Sequence, residues 1–176
     1  MKTVDVYDSK TIYFHWITAA VILALWFIGQ NIDSFPKGDP RVIVRSIHLT
    51  LGFILAVILV RRLKWRLTGG VRLPQATNGV FGKLSIWMHF LLYFVAVLTI
   101  VAGIAAVWIR GDSVFNLIHV PAFDPGNNQL REEVVDLHEL LANSLLILAG
   151  VHALLAIWHH KIKKDGVLKR MWPSLQ

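Results

Sequence analysis

HELLANSLLILAGVHALLAIWHH, residues 138–160, is apolar along most of its length yet carries histidines at both ends and one inside. A bilayer's hydrocarbon core of about 30 Å is crossed by about 20 mainly apolar helical residues. In lipid the backbone must satisfy its own hydrogen bonds, so such a run reads as a transmembrane helix. His138 and His152 lie 14 residues apart. On a helix that is roughly 21 Å along the axis and roughly 40° in azimuth, so the two look out from one face at two depths.

Working outward, three more runs have the same character. The spans are read at about 13–32, 42–60, 84–109 and 135–160. Of the 176 residues, 55% are hydrophobic and 16% charged, and the mean hydropathy is +0.55. That is too apolar for an ordinary soluble fold. The expectation is an all-α membrane protein, a four-transmembrane-helix bundle forming a single domain over residues 1–176. The N-terminal residues carry mixed charge with no small-residue cleavage site before the first span, so that span is expected to act as its own insertion signal. The absence of cysteine excludes disulfides, iron–sulfur clusters and covalent haem attachment.

The formal charge of +7 does not indicate a nucleic-acid protein, because the cations lie in the gaps between apolar runs, where they flank a bilayer. Arg61, Arg62, Lys64, Arg66, Arg72 and Lys83 follow the second span without an acid among them. The C-terminal tail holds Lys161, Lys163, Lys164, Lys169 and Arg170 against Asp165. The loop between spans three and four holds Asp112, Asp124, Glu132, Glu133 and Asp136 against Arg110 and Arg131. Lysine and arginine favour the cytoplasmic side, so both termini are expected to be cytoplasmic. Trp16, Trp65, Trp108, Trp158 and Trp172 fit an interfacial aromatic belt, while Trp26 and Trp87 lie deeper.

Eight histidines in such a chain need a reason, since ionisable groups within spans are costly and mark function by default. His138 and His152 each need a partner at matching depth. His48 enters the second span from the outer side and suits His138. His15 opens the first span at the inner side and suits His152, but His89 lies at a similar depth and is an alternative. Two stacked pairs of imidazoles result, and paired neutral imidazoles are good axial ligands for haem iron. Small residues near them leave room for a flat macrocycle: Ala19, Ala20, Gly52, Ala142, Ala149, Ala153 and Ala156. Zinc is a poorer fit, because carboxylates to orient the ligands are scarce apart from Asp136 and Glu139. His89 and His159 are candidates for contact with a haem propionate or a bound quinone; His119 and His160 receive no role. The competing reading is a haem-free structural or transport protein whose histidines hydrogen-bond between helices. No acid–base or nucleophilic constellation is present, so no catalytic side chain is assigned and any reaction would be redox chemistry.

The chain resembles the bacterial di-haem cytochrome b561 family over nearly its whole length. The resemblance rests on Phe14-His15-Trp16, on Phe35-Pro36 and Asp39-Pro40 ahead of His48, and on Gly52 with the basic run Arg61-Arg62-Leu63-Lys64-Trp65-Arg66. It continues through His138-Glu139-Leu140-Leu141-Ala142-Asn143, Gly150-Val151-His152-Ala153, His159-His160, Asp165 and Leu168-Lys169-Arg170-Met171. It implies two haem b groups, with His15 and His152 as axial ligands of one iron and His48 and His138 of the other. It also implies a multi-pass protein of the bacterial inner membrane carrying electrons between a periplasmic-side donor and the ubiquinone pool. Short standalone members resemble a superoxide oxidase, a superoxide:ubiquinone oxidoreductase, and Lys37, Arg41 and Arg45 ahead of His48 could attract such an anion. Arg45 has a competing role in neutralising a haem propionate. Related families use the same layout as a membrane-anchor cytochrome b subunit of a hydrogenase or dehydrogenase, which is the alternative function and would bring a partner redox subunit.

Overall fold

The computed structural model describes residues 6–75 and 79–172; the charged residues 1–5, read above with the first span, lie outside them. Four long helices run through it: α1 (Ser9–Asn31), α2 (Asp39–Thr68), α3 (Gly79–Arg110) and α4 (Asn128–Trp158). Each is long and apolar enough to cross a membrane. Between α3 and α4 lies a two-stranded hairpin, β1 (Ser113–Val114) with β2 (Ile118–His119), in the register Ser113↔His119 and Val114↔Ile118.

Local sequence sets where the helices begin. The Asp8 carboxylate caps α1 by accepting from the Thr11 N–H at 3.0 Å, and Asn127 caps α4 by accepting from the Leu130 N–H at 3.0 Å. Each satisfies a backbone donor that has no partner within its own helix. Gly38, at φ 99°, turns the chain into α2, whose first residues include Pro40, where a missing N–H costs nothing. At its far end α4 widens into a π turn over His159–Lys163, closed by Lys164 in the left-handed region at φ 53°.

α1 packs along α2 and α3 along α4, while contacts across the two pairs are sparse. Trp26 on α1 bridges to α4 by donating from Nε1 to Asn143 Oδ1 at 2.8 Å. The buried apolar residues that join the bundle are Leu59, Val95, Ala96 and Leu145, a thin layer at mid-height. Leu145 is seven residues from both His138 and His152, so this layer separates the two histidine depths. Most other large apolar side chains face outward, such as Phe27 and Ile147.

The two ends of the bundle are closed differently. At the end holding the chain termini, the Tyr7 N–H donates to the Arg170 carbonyl at 3.1 Å. Arg170 Nη1 donates to the Pro74 carbonyl at 2.6 Å, and Trp16 Nε1 to the Met171 carbonyl at 2.9 Å. At the other end the three-residue hairpin connection turns through Phe115 and Asn116, both at positive φ, and the Leu117 N–H donates back to the Val114 carbonyl at 3.0 Å. The Phe115 N–H donates to the fully buried Ser46 hydroxyl on α2 at 2.7 Å. Buried Asp112 accepts from Arg110 Nη2 at 2.8 Å and lies 3.5 Å from Arg45 Nη1.

Candidate cofactor sites

The chain carries the same spacing four times: His15 to Gly29, His48 to Arg62, His89 to Gly103 and His138 to His152, each 14 residues. One such interval lies on each helix, so each helix offers one side chain or glycine at each of two levels. The level nearer the termini gathers His15, Arg62, His89 and His152. The level nearer the hairpin gathers Gly29, His48, Gly103 and His138.

At the hairpin level, the rings of His48 and His138 face each other with centroids 6.2 Å apart. His138 Nδ1 donates to the Thr99 carbonyl at 2.9 Å, which turns the Nε2 lone pair inward and is the usual way a ligating imidazole is oriented. Glycine lets α3 and α1 approach. A Cβ at Gly103 would stand 2.9 Å from His138 Cε1, and one at Gly29 would stand 3.3 Å from His48 Cε1. His48 Nδ1 is buried and has no hydrogen-bond partner among the described residues.

At the termini level, His15 and His152 have centroids 6.3 Å apart. His89 lies closer to His152, at 5.1 Å, with its Nδ1 donating to the Ser85 carbonyl at 2.7 Å. Arg62 reaches in from α2, donating from Nη2 to His15 Nδ1 at 3.1 Å, with its guanidinium 5.2 Å from the centre of the Tyr93 ring. No carboxylate pairs with Arg62 among the described residues.

These separations test the fit to a metal held between two imidazoles. Imidazole–metal bonds of about 2 Å, with a ring radius of about 1.1 Å on either side, call for centroids about 6.2 Å apart. The pairs at 6.2 and 6.3 Å meet that demand, whereas 5.1 Å is too short for a metal between His89 and His152. No cluster of three or more metal-binding side chains occurs among the described residues, so an ion needing an all-protein ligand set is a poor match. A planar group that fills the equatorial positions itself suits paired imidazoles. Gly52 and Gly150 border open space, in keeping with room for such a group.

Other expectations meet different outcomes. His159 Nδ1 lies 2.5 Å from Asp165 Oδ2, so its ring is engaged within the C-terminal turn. Arg41 pairs with Asp33 at 3.1 Å and donates to the Phe35 carbonyl, and Arg45 leans on Asp112, so both outer arginines have carboxylate neighbours. His119 lies exposed on β2. Arg62, Gly29 and Gly103 were not singled out from the sequence, although the repeated 14-residue interval marks all three.

A helical membrane bundle with two facing imidazole pairs at two depths is the architecture of a membrane-bound b-type cytochrome. The family model for prokaryotic cytochrome b561 matches residues 6–174, and the chain belongs to that family. It is 31% identical to cytochrome b561 homolog 1 of Escherichia coli (strain K12), over 94% of this chain and 96% of that protein. It is 27% identical to the probable superoxide oxidase CybB of Yersinia pestis, over 96% of both chains. It is also 32% identical to a probable Ni/Fe-hydrogenase B-type cytochrome subunit of Rhizobium leguminosarum bv. viciae, over 51% of this chain and 41% of that protein. The protein is a multi-pass electron-transfer cytochrome of the bacterial inner membrane with a haem b cofactor.

Proposed function

We propose that the chain binds two haem b groups, one between His15 and His152 and the other between His48 and His138. In this reading it carries electrons from a donor on the hairpin side to ubiquinone on the termini side. The observation that carries the proposal is the pair of imidazole separations, 6.3 and 6.2 Å, at two levels of one bundle. Haem b, when bound, supplies one-electron redox chemistry. The chain's own residues do the rest. His138 is held in the ligating tautomer by the Thr99 carbonyl, apolar helices exclude water, and Arg62 offers donors to a propionate or quinone oxygen, while His89, whose N–H is taken by the Ser85 carbonyl, presents Nε2 as an acceptor to a protonated oxygen. The basic α2–α3 connection and C-terminal tail support a cytoplasmic termini end.

Superoxide is the proposed donor, on the strength of similarity to the probable superoxide oxidase over nearly the full length. Two superoxide anions each lose one electron and become dioxygen; ubiquinone takes up both electrons and two protons and becomes ubiquinol. Stopped-flow mixing of the purified protein with superoxide tests this. Reduction of the visible absorption band faster than spontaneous dismutation is the expected result, and no reduction above that background overturns the choice of donor. A spectrum of haem-supplied protein without the reduced alpha band of a six-coordinate b-type cytochrome would overturn the ligand assignment itself.

A second reading, a membrane-anchor cytochrome subunit, is favoured by the match to the hydrogenase subunit over 99 residues. It predicts a large metal-containing partner co-purifying at fixed stoichiometry, which the standalone reading does not.

A further inference from the structure

On the outside of the α1–α2 pair, away from the histidines, a groove of about 640 Å³ opens at the termini end. It runs into a second of about 410 Å³, and the two share Tyr13, Phe14 and Arg61. Its upper part is lined by Lys10, Arg61 and Lys64 with the Trp65 indole; below the shared Tyr13 and Arg61 its lower part is apolar, with Phe53 and Val57 on α2 facing Ile17 on α1. From Lys64 to Phe53 is 11 residues, about 16 Å along the helix, or about half the hydrocarbon thickness of a bilayer. The groove therefore has a cationic mouth at interfacial depth and an apolar channel one leaflet deep.

The charges at the mouth are available. Lys10, Arg61 and Lys64 are exposed and make no ion pair among the described residues. Lys10 Nζ rests 4.5 Å from the centre of the Trp65 ring. The nearby carboxylate, Asp8, turns inward and accepts from Thr11, Trp65 Nε1 and the Val71 N–H. It offsets one of the three cations and leaves a net positive mouth. Scattered interfacial lysines attract anionic lipid only diffusely; a concave site in which cations and channel are continuous selects a molecule with both parts.

We propose that this groove binds one anionic glycerophospholipid, its phosphodiester at Lys10, Arg61 and Lys64 and one acyl chain along Val57 and Phe53. The site does not depend on which donor or acceptor the cytochrome serves. To test it, the delipidated, haem-loaded full chain is titrated in detergent and followed by native mass spectrometry. The ligands are phosphatidylglycerol, phosphatidylcholine with the same acyl chains, inorganic phosphate and long-chain ubiquinone. The expected result is one phosphatidylglycerol bound at least tenfold more tightly than phosphatidylcholine, not displaced by phosphate or ubiquinone. The triple variant K10Q/R61Q/K64Q should lose that preference while its visible spectrum stays that of wild type. Val57→Trp, which narrows the channel and keeps all three cations, should weaken phosphatidylglycerol as well. Equal binding of the two lipids overturns the proposal, as does displacement by phosphate alone or by ubiquinone. An unchanged preference in both variants overturns it too.

Discussion

At the level of His15 and His152 the other two helices contribute Arg62 and His89; at the level of His48 and His138 they contribute Gly29 and Gly103. The imidazole separations at the two levels differ by only 0.1 Å, so the spacing of the pairs is repeated while the surroundings are not. At the hairpin level, glycine lets two helices close on the rings, and a carbonyl and a buried ionic cluster complete the enclosure. At the termini level a guanidinium without a carboxylate partner and a third imidazole stand beside the pair. On the proposed function, one level would enclose its group closely and the other would hold a group beside polar side chains. The same 14-residue interval can thus carry two electrostatic environments in one bundle.

Removing one ligand from each level is the sharpest way to break the comparison. On the two-haem proposal, His138→Ala and His152→Ala should each lower the haem content from two to about one per chain, measured as pyridine haemochrome against protein. Loss of both groups in either variant would mean that the levels are not independent. Next in size is Asp112→Ala, which strips the buried carboxylate from Arg110 and Arg45 and leaves their charges facing each other. A cost of about 3 kcal/mol is expected from breaking a buried ion pair, read as a lower Tm, with the hairpin-level spectrum changing first. Gly103→Ala places a methyl 2.9 Å from the His138 ring. It should cost about 1–3 kcal/mol by overpacking and perturb only that level. Arg62→Gln removes a cation beside His15 and should lower the midpoint potential of the termini-level group alone. The size is on the order of 50–100 mV for a charge several ångströms away at an effective dielectric of about 20, and redox titration resolves it.

The smallest effect belongs to Asp8. Burial raises its pKa, but hydrogen bonds from Thr11, Val71 and Trp65 outweigh that and hold it down to about 2. A carboxylate with a depressed folded pKa contributes stability above its unfolded value, near 3.8, and loses that contribution as pH falls through the folded value. Asp8→Ala should therefore lower thermal stability by about 1 kcal/mol at neutral pH, the usual worth of a helix cap, and the gap from wild type should close as pH falls from about 4 towards 2.

Much of the fold was legible because lipid admits few alternatives. A long apolar run has to be helical, and four runs make four helices. The ends were less legible. The second span was read to residue 60, yet α2 continues to Thr68; the fourth was read from residue 135, yet α4 starts at Asn128. Apolar counting marks only the part of a helix in hydrocarbon, and arginine, lysine and glutamate carry the helix on into the interface, where they are good helix formers. The hairpin was illegible because Phe115, a poor candidate for positive φ, occupies one of the two positive-φ positions in its connection. The π turn at His159 depends on closure against Asp165, which no local pattern announces. At the site, depth arithmetic brought out the histidines because they are costly in lipid. Arg62 was hidden among neighbouring cations whose interfacial role is ordinary, and Gly29 and Gly103 among glycines that serve helix packing. The interval that links them shows only when all four helices are aligned on it.

The thin layer of Leu59, Val95, Ala96 and Leu145 has a consequence for energy transduction. It holds the two histidine levels about 21 Å apart along the helix axis, some two-thirds of a hydrocarbon core of about 30 Å. A unit charge crossing the whole membrane at 100 mV exchanges about 2.3 kcal/mol with the field. An electron passed between the levels therefore exchanges about 1.5 kcal/mol with that field. In the orientation proposed above, with the termini end cytoplasmic, inward passage would run against a negative-inside voltage. The couple at the hairpin face must then be more reducing than the couple at the termini face by at least that margin, and turnover in energised vesicles should slow as the membrane is polarised.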